Sequence, residues 1–179
     1  MQYEPKHLLV RIPMSGESLG EIVWRHDAIA SSMGCVWFGS CGQAPMESRL
    51  ASLTQQIERS IPTSLYLVQR RDETLQVFQS QILGIARSVP STESHLVPPY
   101  YASPKRDFKA VIWLKLQEFK EMPHTAIRLL RVEKTGSPVT FVLMRSMASI
   151  LIVIEGESEA APPVRRSPLP SWKATGDVV

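Results

Sequence analysis

The sequence predicts an α+β fold in which helices flank a curved sheet or a small β-barrel. Two observations support this class. One predicted strand, at residues 35–38, lies between two helical patterns, and from residue 64 onward short β-like segments follow one another at close spacing. Helices near one end of the chain and strands near the other are typical of α+β proteins, because a parallel sheet needs the two to alternate. Many short strands close together favour a curved or closed sheet.

The first helix carries signals at both of its ends. Ser18 and Glu21 form an S-x-x-E capping box, and Gly34 follows the last apolar residue of the helical pattern. Between these limits the apolar residues recur at helical spacing. On this helix we interpret Trp24 as a packing residue and His26 as an exposed polar residue.

Most of the remaining segments are predicted as strands. A second helix is expected at residues 50–61, where apolar residues are spaced three and four apart. Strands are predicted at residues 8–12, 35–38, 64–70, 75–89, 108–116, 139–144 and 149–154. A short helical turn is expected at residues 117–123, and a helix over residues 142–149 is an alternative to the sixth strand.

Two proline-rich stretches define the organisation of the chain. The loop at residues 88–107 is long for a compact domain, and unstructured loops of such length are often functional. From residue 157 the composition, rich in Pro and Ser, is not that of a core. We predict one folded domain at residues 1–156 and a Pro-rich tail or linker at residues 157–179. An effector subunit or fused domain could be attached to this tail.

Composition excludes several classes of protein. With 44% hydrophobic and 21% charged residues the chain is predicted to be globular, and no apolar run reaches the roughly 20 residues of a membrane helix. We expect a cytoplasmic protein without membrane contact. Cys35 and Cys41 are too few for a disulfide framework and lack the neighbours of a zinc site, so no metal or cofactor is expected. Motifs of hydrolases, kinases and metalloproteases are missing, which favours a protein that is not an enzyme.

Positive charge is concentrated in one part of the chain. Between residues 105 and 145 there are nine basic and four acidic side chains, a surplus of five, although the whole chain carries only +3. Such a segment suits a surface that faces phosphates. A merely solvated face is the alternative. The candidate phosphate contacts are Lys105, Arg106, Lys109 and Arg145.

Aromatic residues mark a candidate pocket for a flat ligand. Trp37 stands in a short apolar strand between glycines, and we predict that its indole forms the first wall of a cavity that holds a nucleobase. Phe38 and Ser40 follow it, and the Ser40 hydroxyl could contact a base edge. Tyr100 and Tyr101, in the proline-rich loop, are the predicted second wall. The alternatives are that Trp37 fills the core and that the tyrosines anchor their loop.

Several segments occur in the order in which a known family has them. They are residues 36–37 (VW), 66–68 (YLV), 83–86 (LGIA), 108–114 (FKAVIWL), 121–123 (EMP), 129–131 (LLR) and 136–140 (GSPVT) with Arg145. In this order they resemble the YTH domain and, more loosely, its EVE relatives in the PUA-like superfamily. Three features depart from the family pattern. Phe38 and Gly39 replace Ser-Thr, Tyr100 and Tyr101 replace tryptophans, and two extra residues precede Arg145.

The resemblance implies a base-recognition domain. YTH domains insert a methylated adenine into an aromatic cage, and EVE-like domains of McrBC-type restriction systems recognise modified bases in DNA. By this resemblance we expect a domain that holds a flipped methyladenine or modified cytosine, with methylated DNA favoured, in a prokaryotic restriction or defence system. An RNA-binding methyladenine reader is one alternative. A protein-interaction adaptor whose Pro-rich tail binds a partner is another.

Overall fold

The computed structural model describes residues 4–14, 16–103 and 108–156. These residues form one sheet of seven strands: β1 (Lys6–Arg11), β2 (Val36–Ser40), β3 (Ser64–Arg71), β4 (Thr74–Ala86), β5 (Ile112–Met122), β6 (Leu130–Val132) and β7 (Ile150–Glu155). The helices of these ranges are α1 (Leu19–Met33), α2 (Glu47–Glu58) and α3 (Val139–Arg145), with shorter 3-10 helices at Ser91–Leu96, Pro99–Ala102 and His124–Leu129. The predicted α+β class is confirmed.

The strand order shows that the sheet is not a closed barrel. The strands lie in the order β2-β5-β4-β3-β1-β7-β6, so that β2 and β6 form its two edges. β1 and β3 pair in parallel, and the other neighbouring strands pair antiparallel. The alternative of a small barrel is therefore wrong, because the two edge strands of the described sheet do not pair with each other.

The sheet is nevertheless strongly curved. Gly42, two residues after β2, lies against Ser149, which immediately precedes β7; a Cβ atom placed on Gly42 would be 2.9 Å from the Cβ of Ser149. In a flat sheet β2 and β7 would be five strand spacings apart, about 24 Å. Curvature thus brings the end of β2 to the start of β7.

Each face of the sheet carries its own apolar core. Alternation along β1 directs Leu8 and Val10 into a cluster that also contains Leu19 of α1 and Leu53 of α2. Leu9, on the opposite face, belongs to a second cluster. Its other buried members are Tyr66, Val68, Val77, Ile127, Leu130, Val132, Val139, Leu143 and Val153. Both faces of β1 are therefore covered, which explains its continuous apolar sequence.

The ends of α1 agree with the prediction, but two of its side chains do not. The Ser18–Glu21 capping box is present and the helix ends at Gly34. Trp24 is 72% exposed, whereas His26 is fully buried, so both of these predictions are wrong. The inner face of the helix is formed by residues four, three and four apart: Leu19, Val23, His26 and Ala30. Trp24 lies beside this face and not on it.

Two predicted elements have a different form in the structure. The predicted helical turn at residues 117–123 belongs mostly to β5, in which Glu118 and Phe119 together stand opposite Ser80 as a bulge, with φ of 57° at Glu118. The bulge interrupts the apolar alternation from which a strand would be predicted. The predicted strand at 139–144 is instead α3, whose residues Val139 and Leu143 bury one helical face.

Other predictions concern parts of the chain that the structure does not describe. The predicted tail at residues 157–179 lies outside the described residues. Among the described helices, none combines the length and the apolar character needed to cross a membrane. Cys35 and Cys41 are both free thiols.

Candidate functional site

A half-enclosed cavity of about 570 Å³ lies at the end of the sheet where β2 approaches β7. Its walls come from the end of β1, the turn before α1, the first turn of α1, the end of β2 and the 3-10 helix Pro99–Ala102. The aromatic wall residues are Phe38, Tyr100, Tyr101 and Phe108, and the aliphatic ones include Val10, Ile12, Pro13 and Ile22. This volume is within the range of small-molecule sites, roughly 300–1,000 Å³.

Tyr101 connects the loop after β4 to the sheet and to α1. The backbone N–H of Gly39, on the free edge of β2, donates to the Tyr101 hydroxyl at 3.0 Å. Nε2 of His26 lies 3.1 Å from the same hydroxyl, and Nδ1 lies 2.7 Å from the carbonyl oxygen of Ile22. Because a carbonyl can only accept, Nδ1 carries the proton and Nε2 accepts from Tyr101. One chain of hydrogen bonds therefore joins β2, the tyrosine and the helix.

Burial fixes the protonation states in this chain of hydrogen bonds. Desolvation lowers the pKa of His26 from 6.5 to about 4, against the opposing effect of its hydrogen bond to Ile22. Burial also raises the pKa of the Tyr101 hydroxyl well above 10.0. At neutral pH both groups are uncharged, and their role is to hold the aromatic rings in place.

An aromatic cluster surrounds Tyr101. Its ring stacks on Tyr100 with a centroid distance of 4.3 Å, and the rings of Phe108 and Trp113 lie 4.8 Å and 5.2 Å away. A Cβ atom on Gly39 would be 3.0 Å from both Phe108 and Trp113, closer than side-chain carbons ordinarily approach. The absence of a side chain at Gly39 therefore allows both rings to lie against the edge strand.

The charged groups of the cavity wall are engaged with neighbouring residues. The Arg11 guanidinium donates to the carbonyl oxygens of Ser146, at 2.6 Å, and Leu143, at the end of α3. Glu17 pairs with Arg25 at 2.6 Å, and the Arg25 guanidinium lies 5.2 Å from the ring centre of Tyr100. The cations at this end of the fold thus also serve to order α3 and the tyrosine pair.

The cavity brings together four of the five residues predicted for a base pocket: Phe38, Ser40, Tyr100 and Tyr101. Phe38 and Ser40 lie on the same face of β2, because they are two residues apart. Their part in binding a base stays a prediction.

Trp37 is not part of the cavity, and its prediction as the first wall is wrong. Only 4% of its surface is exposed. Its indole N–H donates to Glu93 at 2.7 Å, and Nζ of Lys115 lies 5.8 Å from its ring centre. Since successive strand residues face opposite sides, the orientation of Phe38 towards the cavity directs Trp37 away from it. Trp37 is a packing residue beneath the 3-10 helix Ser91–Leu96.

Of the four candidate phosphate contacts, the two that the structure describes, Arg145 and Lys109, are not among the residues that line the cavity. Arg145 is exposed at the end of α3 and stacks on Phe141 with a distance of 4.2 Å to the ring centre. Lys109 is exposed and directly follows the wall residue Phe108. Lys105 and Arg106 lie outside the described residues. All four stay predictions as phosphate contacts.

Several wall residues were missed from the sequence. Phe108 was assigned to a strand, although the strand begins only at Ile112 and Phe108 belongs to the preceding loop. Arg11 and Cys41 were not considered as wall residues. A signal existed for Arg11, because an arginine inside a continuous apolar strand usually has a buried partner.

No protein-family model matches the chain, and no curated protein shows significant similarity to it. In the described ranges no group of three or more His, Cys, Asp or Glu side chains is placed to hold a metal ion. The aromatic cavity is therefore the feature from which a function can be inferred.

Proposed function

We propose that the protein recognises a modified base of a nucleic acid by holding the base in the cavity between β1, β2 and α1. A methylated base in DNA is the favoured ligand, and a prokaryotic restriction or defence system is the favoured setting. The proposed fold family is the PUA-like superfamily, with the YTH and EVE domains as its nearest members. The observation that carries the proposal is the convergence of Phe38, Tyr100, Tyr101 and Phe108 on one cavity of about 570 Å³.

The chemistry of a nucleobase fits such a wall. A base offers two flat π faces, and stacking on an aromatic side chain contributes about 1–3 kcal/mol per base. Phe108 is only half-buried, so part of its ring is accessible from the cavity. The aliphatic residues Ile12 and Ile22 supply the apolar surface against which a methyl group is favourable.

The wall is also organised before a ligand arrives. Tyr101 is held by Gly39 and His26, and Tyr100 stacks on it. A site whose rings are already fixed loses little conformational entropy on binding. This rigidity supports selection by shape, which discrimination of a single methyl group requires.

Cys41 provides a direct test, because its exposed thiol lines the cavity. In a Cys35→Ser background, the rate of Cys41 alkylation by iodoacetamide is measured with oligonucleotides that carry N6-methyladenine, 5-methylcytosine or no modification. A methylated oligonucleotide is expected to slow alkylation several-fold more than its unmodified counterpart. Equal rates with all the oligonucleotides would reject base recognition in this cavity and favour the adaptor function.

A matched pair of aromatic variants gives the second test. Phe108→Ala removes an accessible ring from the wall and is expected to weaken binding of the preferred methylated oligonucleotide about tenfold or more. Trp24→Ala removes an exposed ring of α1 that does not line the cavity, and it is expected to leave affinity unchanged. Equal effects of the two variants would contradict the proposed site.

A further inference from the structure

The turn between α3 and β7 presents an exposed methionine on a rigid support. Met147 is 94% exposed. The residues around it are fixed: the Arg11 side chain donates to the Ser146 carbonyl at 2.6 Å, and the Arg11 backbone N–H donates to the Ser149 carbonyl at 2.8 Å. The Ala148 N–H also donates to the Ser146 hydroxyl at 3.0 Å. An apolar side chain is therefore held in water by a turn that is anchored at both ends.

This turn lies at the rim of the proposed base cavity. Arg11 and Ser149 both line the cavity, and Met147 lies between the two residues that Arg11 binds. Met14, 66% exposed, follows the wall residue Pro13 after β1. Both methionines are thus exposed and lie within two residues of a wall residue in sequence, and exposed apolar surface beside a cavity indicates contact with a partner.

We propose that the partner is double-stranded DNA and that Met147 enters the helix where the base has been extruded into the cavity. This inference rests on the proposed function. Extruding a base from a duplex costs a few kcal/mol, because its stacking and pairing are lost. An apolar side chain that fills the vacated space offsets part of this cost, and methionine is among the residues that proteins insert between base steps.

The properties of the turn agree with this role. An unbranched thioether side chain fills irregular gaps well. Residues 139–149 contain Arg145 and no acidic residue, so this segment itself does not repel phosphates. A single-stranded partner would leave no gap to fill, and sequence-specific RNA recognition mostly concerns single strands. Duplex DNA is therefore the partner that offers a gap to a methionine presented by a rigid turn.

The test compares duplex and single-stranded ligands. The dissociation constants of the wild type, Met147→Ala and Met33→Ala are measured for one strand that carries a single N6-methyladenine and for its duplex. Met33, 53% exposed, lies at the opposite end of α1 from the cavity, about 20 Å along the helix, and serves as the matched control. Met147→Ala is expected to weaken duplex binding about tenfold, a loss of 1.4 kcal/mol, and to leave single-strand binding unchanged. Met33→Ala is expected to change neither.

The outcomes separate this inference from the proposed function. Equal losses for duplex and single strand with Met147→Ala, or no loss at all, would overturn the role of Met147 while base recognition stands. A wild type that binds the methylated single strand selectively but not its duplex would do the same. If neither methylated ligand is preferred over its unmodified form, and 5-methylcytosine probes give the same result, the proposed function fails and the inference fails with it.

Discussion

One hydroxyl group holds three parts of the site together. Tyr101 accepts from the N–H of Gly39 and donates to Nε2 of His26, which in turn donates from Nδ1 to Ile22. It thereby satisfies a backbone group on the edge of β2 and a buried imidazole with the same atom. When a buried polar group loses its only hydrogen-bond partner, the free energy of unfolding falls by more than the hydrogen bond itself contributes. Tyr101 therefore has a large influence on stability.

Replacing Tyr101 by phenylalanine isolates this effect. The ring and its stacking are retained, but the Gly39 N–H and His26 Nε2 lose their shared partner. The free energy of unfolding is expected to fall by about 1–3 kcal/mol in urea denaturation. Tyr66→Phe is the control, since its hydroxyl accepts a long contact of 3.3 Å from Gln79. A loss for Tyr101→Phe no larger than that for Tyr66→Phe would show that the network does not stabilise the fold.

His26 makes stability depend on pH. Its pKa is about 4 in the folded protein and near 6.5 when it is unfolded, so the unfolded chain binds the extra proton between these values. The contribution is complete above pH 6.5 and is lost as the pH falls toward about 4. The loss is on the order of 3 kcal/mol. Burial also lowers the pKa of His7, which adds a dependence of the same sign.

The contribution of His26 to the pH dependence of stability is measured by comparing variants. The free energy of unfolding is determined between pH 7.5 and 4.5 for the wild type, His26→Gln and His124→Gln. His26→Gln is expected to flatten the pH dependence, leaving the parts due to His7 and, toward pH 4.5, to carboxyls whose pKa is lowered in the fold, such as Glu133. His124 is exposed, and His124→Gln serves as the control for exchanging a histidine at the surface. If His26→Gln leaves the slope of the unfolding free energy against pH unchanged, His26 has the same pKa in the folded and the unfolded chain.

Residue-scale predictions from sequence failed where neighbours decide the outcome. Trp37 and Phe38 are both apolar, and nothing in a five-residue strand buried throughout tells which of them faces the cavity. His26 was expected in water because histidine is polar, but a buried tyrosine and a carbonyl satisfy both of its nitrogens. Tyr100 and Tyr101 do line the cavity, and Tyr101 also anchors its loop through Gly39 and His26. Their part in binding a base stays a prediction.

At the scale of elements, the β2–α2 loop and the residue before β7 approach each other closely across the curved sheet. Gly42 has φ of 103°, and a Cβ atom there would lie 2.0 Å from Oγ of Ser149. Both the backbone conformation and the available space require glycine at this position. Because Gly42 and Ser149 also line the cavity, the shape of the site depends on their contact.

Gly42→Ala is expected to destabilise the protein by about 2–5 kcal/mol, as backbone strain and overpacking add. Gly136→Ala is the matched control: its φ of 66° is also positive, but no atom lies within 4 Å of the new Cβ, so only the strain is expected. Adding Ser149→Gly to Gly42→Ala should recover the part due to overpacking. A double-mutant cycle by urea denaturation measures this coupling, and strictly additive effects would contradict the contact.

Local signals predicted elements well where they were complete. The capping box and Gly34 fixed both ends of α1. For α3 the local signals favoured a strand at residues 139–144 and gave a helix over residues 142–149 only as the alternative, because Val139 to Arg145 is rich in β-favouring residues. Val139 and Leu143 of this helix pack on the second core. The bulge at Glu118 could not be predicted from the sequence either, because it depends on the register between β4 and β5. Tertiary contacts decided both cases.

For the whole molecule, the described members of the two cores lie between residues 8 and 153. A chain that ends after Gly156 therefore retains every described member of both clusters. We expect its midpoint of urea denaturation and its m-value to equal those of the full chain, because the surface exposed on unfolding of the domain is unchanged. A lower midpoint for the shorter chain would show that residues 157–179 contribute to the domain, against the predicted boundary.

The charge distribution of the molecule predicts how binding responds to salt. If Arg145 and Lys109 contact phosphates of a DNA duplex, each releases counterions on binding, and Arg145→Ala or Lys109→Ala should reduce the slope of log K against log[salt] by about 0.9. Arg59→Ala is the matched control, since Arg59 is exposed at the end of α2 and does not line the cavity.

Affinity should fall alike for methylated and unmodified duplexes, because phosphates carry no information about the base. If Arg145→Ala leaves the slope of log K against log[salt] unchanged, α3 is not part of the DNA interface. A loss confined to the methylated duplex would instead assign Arg145 to the recognition of the base itself.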